Sequence, residues 1–94
     1  MQNSEIQAIM KKFIQDTFLD RTPNKTLNNE QSLFENGVID STGVLEMVAF
    51  IEKRFGFRVE DEELVPNNLD SIKKLTTYIA LKLADKVSEG SVAT

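Results

Sequence analysis

Among 94 residues, the side chains best placed to do chemistry are in Asn36-Gly37-Val38-Ile39-Asp40-Ser41-Thr42-Gly43-Val44-Leu45-Glu46. Asp40 and Ser41 stand where a helical apolar pattern begins, after a loop that ends at Gly37. Asp40 is a good N-cap, since its carboxylate can accept from the free amides of a first turn. Ser41 presents a hydroxyl at the positive end of that helix. A phosphodiester on this hydroxyl would lie where free amides and the helix dipole favour an anion. Capping alone would also explain an aspartate followed by a serine at a helix start.

Composition narrows what the hydroxyl can do. The chain has no histidine, so it cannot build a Ser-His-Asp triad. It has no cysteine either, which argues against structural zinc and a disulfide framework. Any thioester chemistry must then use a sulfur brought by a cofactor. A small hydrolase using Ser41 is the weakest reading, since only carboxylates and lysines are left as bases. Net charge is −4, which disfavours nucleic acid. Residues 41–65 hold six acids against three bases, so the negative field lies around and after Ser41. That field is a solvated face, or it steers basic partners. No apolar run approaches the roughly 20 residues of a membrane span, and the amino terminus lacks a signal-peptide pattern. A cytoplasmic monomer without a metal site is expected.

The helix behind Ser41 is predicted over 41–55. Its apolar face carries Val44, Met47, Val48, Ile51 and Phe55, with the stripe centred near Val44 and Ile51. Ser41 lies about 60° from that centre, so its hydroxyl can point outward. Thr42, Glu46, Ala49 and Lys53 form the opposite face, with Leu45 and Phe50 at its margins. Two readings stay open for Leu45 and Phe50: packing beneath the preceding loop, or a docking surface. Lys53 and Arg54 complement the helix end, and Gly56 can close it with positive φ. Gly43 in the first turn costs roughly 1 kcal/mol of propensity relative to alanine, which suggests a close approach there.

Other elements must hold this helix. Ser4-Glu5-Ile6-Gln7 is predicted to be a capping box opening a helix over 4–19, with Ile6, Ile9, Met10, Phe13, Ile14 and Phe18 as its stripe. Residues 20–40 form a long connection with turn chemistry at Arg21-Thr22-Pro23-Asn24 and Asn28-Asn29. Leu27, Leu33 and Phe34 are its expected anchors, with one helical turn near Ser32–Glu35. Phe57–Val59 is extended, and Glu60–Leu64 makes a short helix stopped before Pro66. Asp70-Ser71 caps a last helix to about Asp85, with Ile72, Leu75, Ile79 and Leu83 inward and Tyr78 alongside. The expected fold is all-α, a small four-helix bundle of three main helices and a short third one. Residues 1–86 form the domain and 87–94 a mobile polar tail.

Gly37-Val38-Ile39-Asp40-Ser41, followed by Leu45-Glu46-Met47-Val48 and Phe55, resembles the attachment motif of acyl carrier proteins. The resemblance spans roughly residues 4–86. It implies that a phosphopantetheinyl transferase moves the 4′-phosphopantetheine arm of coenzyme A onto Ser41, with Asp40 as motif neighbour. The arm's thiol would carry acyl or aminoacyl groups as thioesters, loaded by a ligase and presented to acyl-using enzymes. The carrier itself would catalyse nothing. By the same resemblance Thr42, Leu45, Glu46, Ala49 and Phe50 face partners, and Val48, Ile51 and Ile79 line the space an acyl chain could enter. The family's common leucine after the serine is Thr42 here, its frequent acid is Gly43, and Lys53 is basic. These departures point away from general fatty-acid synthesis. Leu33 to Ser41 and Leu69-Asp70-Ser71-Ile72 are more similar to stand-alone carriers in dedicated lipid or specialised-metabolite pathways, D-alanyl carriers included. The alternative is a helical interaction module without a prosthetic group, in which Ser41 only starts a helix.

Overall fold

Three apolar stripes at helical spacing have to bury against one another, and they do so around one core. The computed structural model describes residues 2–19 and 28–93, with residues 86–93 described by backbone alone. The order is α1 (Asn3–Ile14), a π-helical turn (Gln15–Leu19), α2 (Ser41–Phe55), a 3-10 turn (Asp61–Glu63), α3 (Pro66–Leu69) and α4 (Ile72–Ala93). No strand occurs among the described residues. The fold is a small all-α bundle, as expected. Ile6, Met10, Ile14, Leu33, Met47, Ile51, Ile72, Leu75 and Ile79 are its fully buried side chains. None of the described helices is long and apolar enough to cross a membrane.

Several local expectations shift. The first helix starts at Asn3, and Gln2 takes the cap position through its backbone oxygen, which accepts from Glu5 and Ile6. Ser4 thus lies inside the first turn, and no capping box forms. The helix then widens to π geometry at Gln15, one of the known ways a helix absorbs a packing constraint. On α2 the buried residues are Gly43, Met47, Ile51 and Phe55, while Val44 and Val48 are half-buried. The stripe is turned from its expected centre because the aromatic side chains of α1 pack on the flank of α2 that carries Phe50. The ring of Phe13 stacks on Phe50 at 4.0 Å between centroids and meets Phe18 edge-on at 5.9 Å. The end of α2 is as expected, with Gly56 at φ 75°.

The link to α2 is ordered where it is described. Asn28 makes an Asx-turn, its Oδ1 accepting from the Glu30 amide at 2.9 Å. Leu33 is buried, whereas Phe34, expected as a second anchor, is 38% exposed. The expectations at Arg21-Thr22-Pro23-Asn24 and Leu27 lie outside the described residues. The short third helix predicted over Glu60–Leu64 is only a 3-10 turn, and a separate helix begins at Pro66, the residue expected to stop it. A 3-10 turn covers Asp61–Glu63, and Pro66 opens α3 from its first position, where a missing amide costs nothing. The backbone of α4 continues to Ala93, past the expected end near Asp85, because Lys86-Val87-Ser88-Glu89 contains no proline to stop it.

The acidic 3-10 turn is tied to α4 by one carboxylate. Oε1 of Glu63 accepts from the Glu60 amide at 2.9 Å, from Lys82 Nζ at 3.1 Å and from the Tyr78 hydroxyl at 3.2 Å. Burial by itself would raise the Glu63 carboxyl, but the Glu60 amide, Lys82 and Tyr78 outweigh it and hold it below its ordinary 4.5. Tyr78 moves up from its ordinary value, by burial first and by the facing Glu63 charge second. A lowered carboxyl stabilises the fold above its unfolded value and ceases to as pH falls through the folded one. The wild-type melting temperature should therefore drop below about pH 4.5, and Glu63→Gln should flatten that part of the profile. At pH 7 the substitution should cost about 1 kcal/mol, since the Glu63 side chain is 24% open to water. Thermal melts of both proteins between pH 3 and 7 would check it, and parallel profiles would refute it.

Candidate functional site

The loop delivers Asp40 to the head of α2 through a short chain of backbone bonds. The Val38 and Ile39 amides both donate to the Leu33 carbonyl, at 2.9 and 3.2 Å, and Gly37 turns the chain at φ 69°. Val38 and Ile39 are buried beneath this turn. Asp40 is extended, its Oδ1 accepts from the Gly43 amide at 2.7 Å, and its carbonyl accepts the first helical bond from Val44 at 3.0 Å. Those bonds leave the Ser41 and Thr42 amides without an intrahelical partner, as at any helix start. Ser41 is the first residue of α2 and is exposed.

A second Asp-Ser pair, Asp70-Ser71, opens α4, and the two pairs divide their work differently. In the second pair the serine is the cap, its Oγ accepting from the Lys74 amide at 3.1 Å, and it is buried. Asp70 is thereby released to accept from the loop, from the Ser32 hydroxyl at 2.8 Å and the Phe34 amide at 3.1 Å. In the first pair the aspartate is the cap and the serine hydroxyl stays outside. Only Ser41 combines a helix start with an accessible hydroxyl in this comparison. The Asp40 carboxylate is engaged with Gly43 and has a structural task of its own.

Gly43 is a close approach. A Cβ built there would lie 2.9 Å from Phe18 Cε1 and 3.3 Å from both Asp40 Oδ1 and Ile39 Cγ2. The π-helical turn is what brings Phe18 here. Its ring cannot yield freely, because its neighbour Phe13 is itself stacked on Phe50. Alanine would gain roughly 1 kcal/mol of helix propensity. Overpacking costs about 1–3 kcal/mol, and here it pushes on the cap as well. Gly43→Ala should therefore be net destabilising by about 1 kcal/mol, and a chemical melt showing a gain instead would mean that Phe18 gives way.

Open grooves border the serine-bearing helix. One of about 290 Å³ is lined by Thr17, Phe18, Gly37, Val38, Thr42 and Glu46, among others. A second, of about 530 Å³, runs between Leu45, Val48 and Glu52 on α2 and Phe57 to Asp61 and Leu64. Glu52 braces its wall, with Oε2 accepting from the Val59 amide at 2.9 Å. Thr42, Glu46 and Ala49 are exposed on the outer face, and Leu45 is 65% exposed. Phe50 is half-buried against Phe13. Val48 borders the larger groove, while Ile51 and Ile79 are fully buried in the core. The structure therefore brings Ser41, Leu45 and Val48 along one side of α2 and keeps Ile51 and Ile79 behind it. Sequence reasoning left out Val38 as lining and the Ser32–Asp70 contact. No local pattern signals a contact across that separation in the chain.

Two comparisons with known proteins bear on this site. A family model described as a phosphopantetheine attachment site matches residues 12–79. The chain is also 40% identical over 55 residues to the D-alanyl carrier protein of Bacillus velezensis (strain DSM 23117 / BGSC 10A6 / LMG 26770 / FZB42), an alignment covering 52% of this chain and 68% of that protein.

Proposed function

From the premise that this chain belongs to the family of phosphopantetheine-bearing acyl and aminoacyl carrier proteins, we propose that Ser41 is the point to which the arm is attached. The cofactor of the family is 4′-phosphopantetheine, and its members act as carriers, not as enzymes. The observation that carries the Ser41 reading is an exposed hydroxyl on the first residue of a helix whose capping carboxylate is already engaged. The residues fit the group. The Ser41 and Thr42 amides suit a phosphodiester oxygen, and a groove that begins one turn further along the same side of α2, at Leu45, leaves room for the arm. When attached, the arm supplies a terminal thiol that holds acyl or aminoacyl groups as thioesters. Asp40 gives its carboxylate to Gly43, so the base that activates the weak Ser41 nucleophile belongs to a phosphopantetheinyl transferase.

Thr42, Leu45, Glu46 and Ala49 form the face that meets the transferase, a loading ligase and acyl-using enzymes, with Phe50 supporting that face from its stack on Phe13. Val48 is the lining residue nearest a cargo, and Ile51 and Ile79 back it from the core. Glu52, Arg58, Glu60 and Asp61 line the same groove, which suits a short or aminoacyl cargo better than a long alkyl chain. The likeness to a D-alanyl carrier favours the aminoacyl class and a dedicated pathway. The carrier unit is residues 1–86, acting as a cytoplasmic monomer. The match over residues 12–79 favours this function over an interaction module without a prosthetic group.

The test is direct. Purified protein incubated with coenzyme A and a broad-specificity phosphopantetheinyl transferase should gain one arm by intact mass, on the peptide containing Ser41. No gain with several such transferases, or a gain on another peptide, refutes the assignment.

A further inference from the structure

We infer that Asp70 is a positioning residue for Ser41: from the head of α4 it holds the 32–39 loop in the path that presents Asp40 and Ser41 at the head of α2. This inference rests on Ser41 being the attachment point. The backbone bonds make the case. Every amide from Leu33 to Ile39 has a partner. Leu33 donates to the Asp70 carbonyl at 2.7 Å, and Phe34 donates to Asp70 Oδ1 at 3.1 Å. Glu35 donates to Ser32 Oγ at 3.1 Å, and that hydroxyl donates in turn to the Asp70 carboxylate. The remaining amides, Asn36 to Ile39, close on the carbonyls of Ser32, Leu33 and Phe34. The loop is thus a small self-bonded unit hung on one aspartate, and its last two buried residues lead straight into the cap.

The arrangement is possible because Ser71, not Asp70, caps α4. A carboxylate that would otherwise serve its own helix is free to accept from residues 36 and 38 positions earlier in the chain. Phe34, Glu35, Asn36 and Gly37 are exposed, so water can replace the lost acceptors if Asp70 is removed. Leu33, Val38 and Ile39 still bury their side chains in that case. Loss of Asp70 therefore loosens the approach to Ser41 more than it destabilises the bundle.

The experiment measures transferase kinetics on the apo-protein with coenzyme A, for wild type, Asp70→Ala, Ser32→Ala and Ser32→Thr. Asp70→Ala should lower kcat by about tenfold or more, because small misplacements of a reacting group are costly, and should leave KM within about twofold, because the α2 face is untouched. Ser32→Ala should show a smaller loss in the same direction, and Ser32→Thr, which keeps the hydroxyl, should restore the rate. Hydrogen exchange should quicken at Phe34, Val38 and Ile39 and stay unchanged at Met47 and Ile51. Glu63→Gln weakens a different tie to α4 and serves as the stability-matched control, with an unchanged kcat. If Asp70→Ala folds and keeps wild-type kcat, or if Glu63→Gln loses rate in proportion to its melting temperature, the positioning role is overturned. Should Asp70→Ala fail to fold, Ser32→Ala and Ser32→Thr decide alone. A wild-type chain that takes no arm overturns the Ser41 assignment first, a result separable from loading that is merely indifferent to Asp70.

Discussion

Ser41→Ala should abolish the mass gain on incubation with transferase and coenzyme A while leaving the fold intact. The two halves of this expectation have separate physical grounds. The hydroxyl is the acceptor of the phosphoryl group in the proposed reaction, and alanine offers no atom in its place. The helix start, however, is held by the Asp40 carboxylate on the Gly43 amide and by the buried Val38 and Ile39. Ser41 is exposed, so its truncation should shift stability by no more than about 0.5 kcal/mol. Ser41→Asp sharpens the comparison. A negative side chain in the first turn suits the helix dipole, so stability should hold or rise slightly while attachment is lost completely. Intact mass and thermal melts on the same samples would separate the outcomes. A persistent gain in Ser41→Ala would place the arm elsewhere. Loss of helicity would instead assign Ser41 a structural role.

Ile51→Ala should have the largest effect on stability. Ile51 is fully buried, on the inward face of α2 between Met47 and Phe55. Large-to-small changes at such sites cost about 2–5 kcal/mol, through lost transfer energy and the cavity that remains. Domains have only about 5–15 kcal/mol in total, and one this small stands towards the low end. For a chain of this length each kcal/mol moves the midpoint by about 4–8 °C, so a fall of about 10 °C or more is expected. Arm attachment near 37 °C should fall with the folded fraction and recover on cooling. Leu45→Ala is the contrast, since that side chain is 65% exposed and should change stability by no more than about 0.5 kcal/mol. Circular dichroism melts would check both. A cost below about 1 kcal/mol for Ile51→Ala would mean that the core collapses around the cavity.

Some of this architecture is legible in the residues alone. Asp40 as cap, the span of α2, the positive φ of Gly56 and the exposed Thr42-Glu46-Ala49-Lys53 face follow from patterns within a few residues of one another, whereas the close approach expected at Gly43 is made by Phe18 from another element. Helical spacing and capping chemistry are local, and a single sequence displays them. The absence of histidine and cysteine is likewise a fact of sequence, and it denies Ser41 a histidine or cysteine partner for catalysis, which fits the attachment role proposed above.

Other features were set by contacts that no window of the sequence contains. The stripe on α2 turned because Phe13 and Phe18 arrive from another helix, and the π-helical turn that delivers Phe18 has no signature in Gln15–Leu19. The expected cap at Ser4 yielded to one two residues earlier, at Gln2, since several polar residues there can begin a helix. Glu63 became a three-way acceptor only when α4 brought Tyr78 and Lys82 to it. The serine on display at the head of α2 is the clearest case. Its type, its neighbour and its helix are local matters, which the sequence by itself determined. Asp40-Ser41 and Asp70-Ser71 are identical as dipeptides, and only tertiary structure assigns the exposed hydroxyl to one and the loop-holding carboxylate to the other. The reason is that a side chain's task depends on which donors reach it, and those donors come from elements that the chain brings together only on folding.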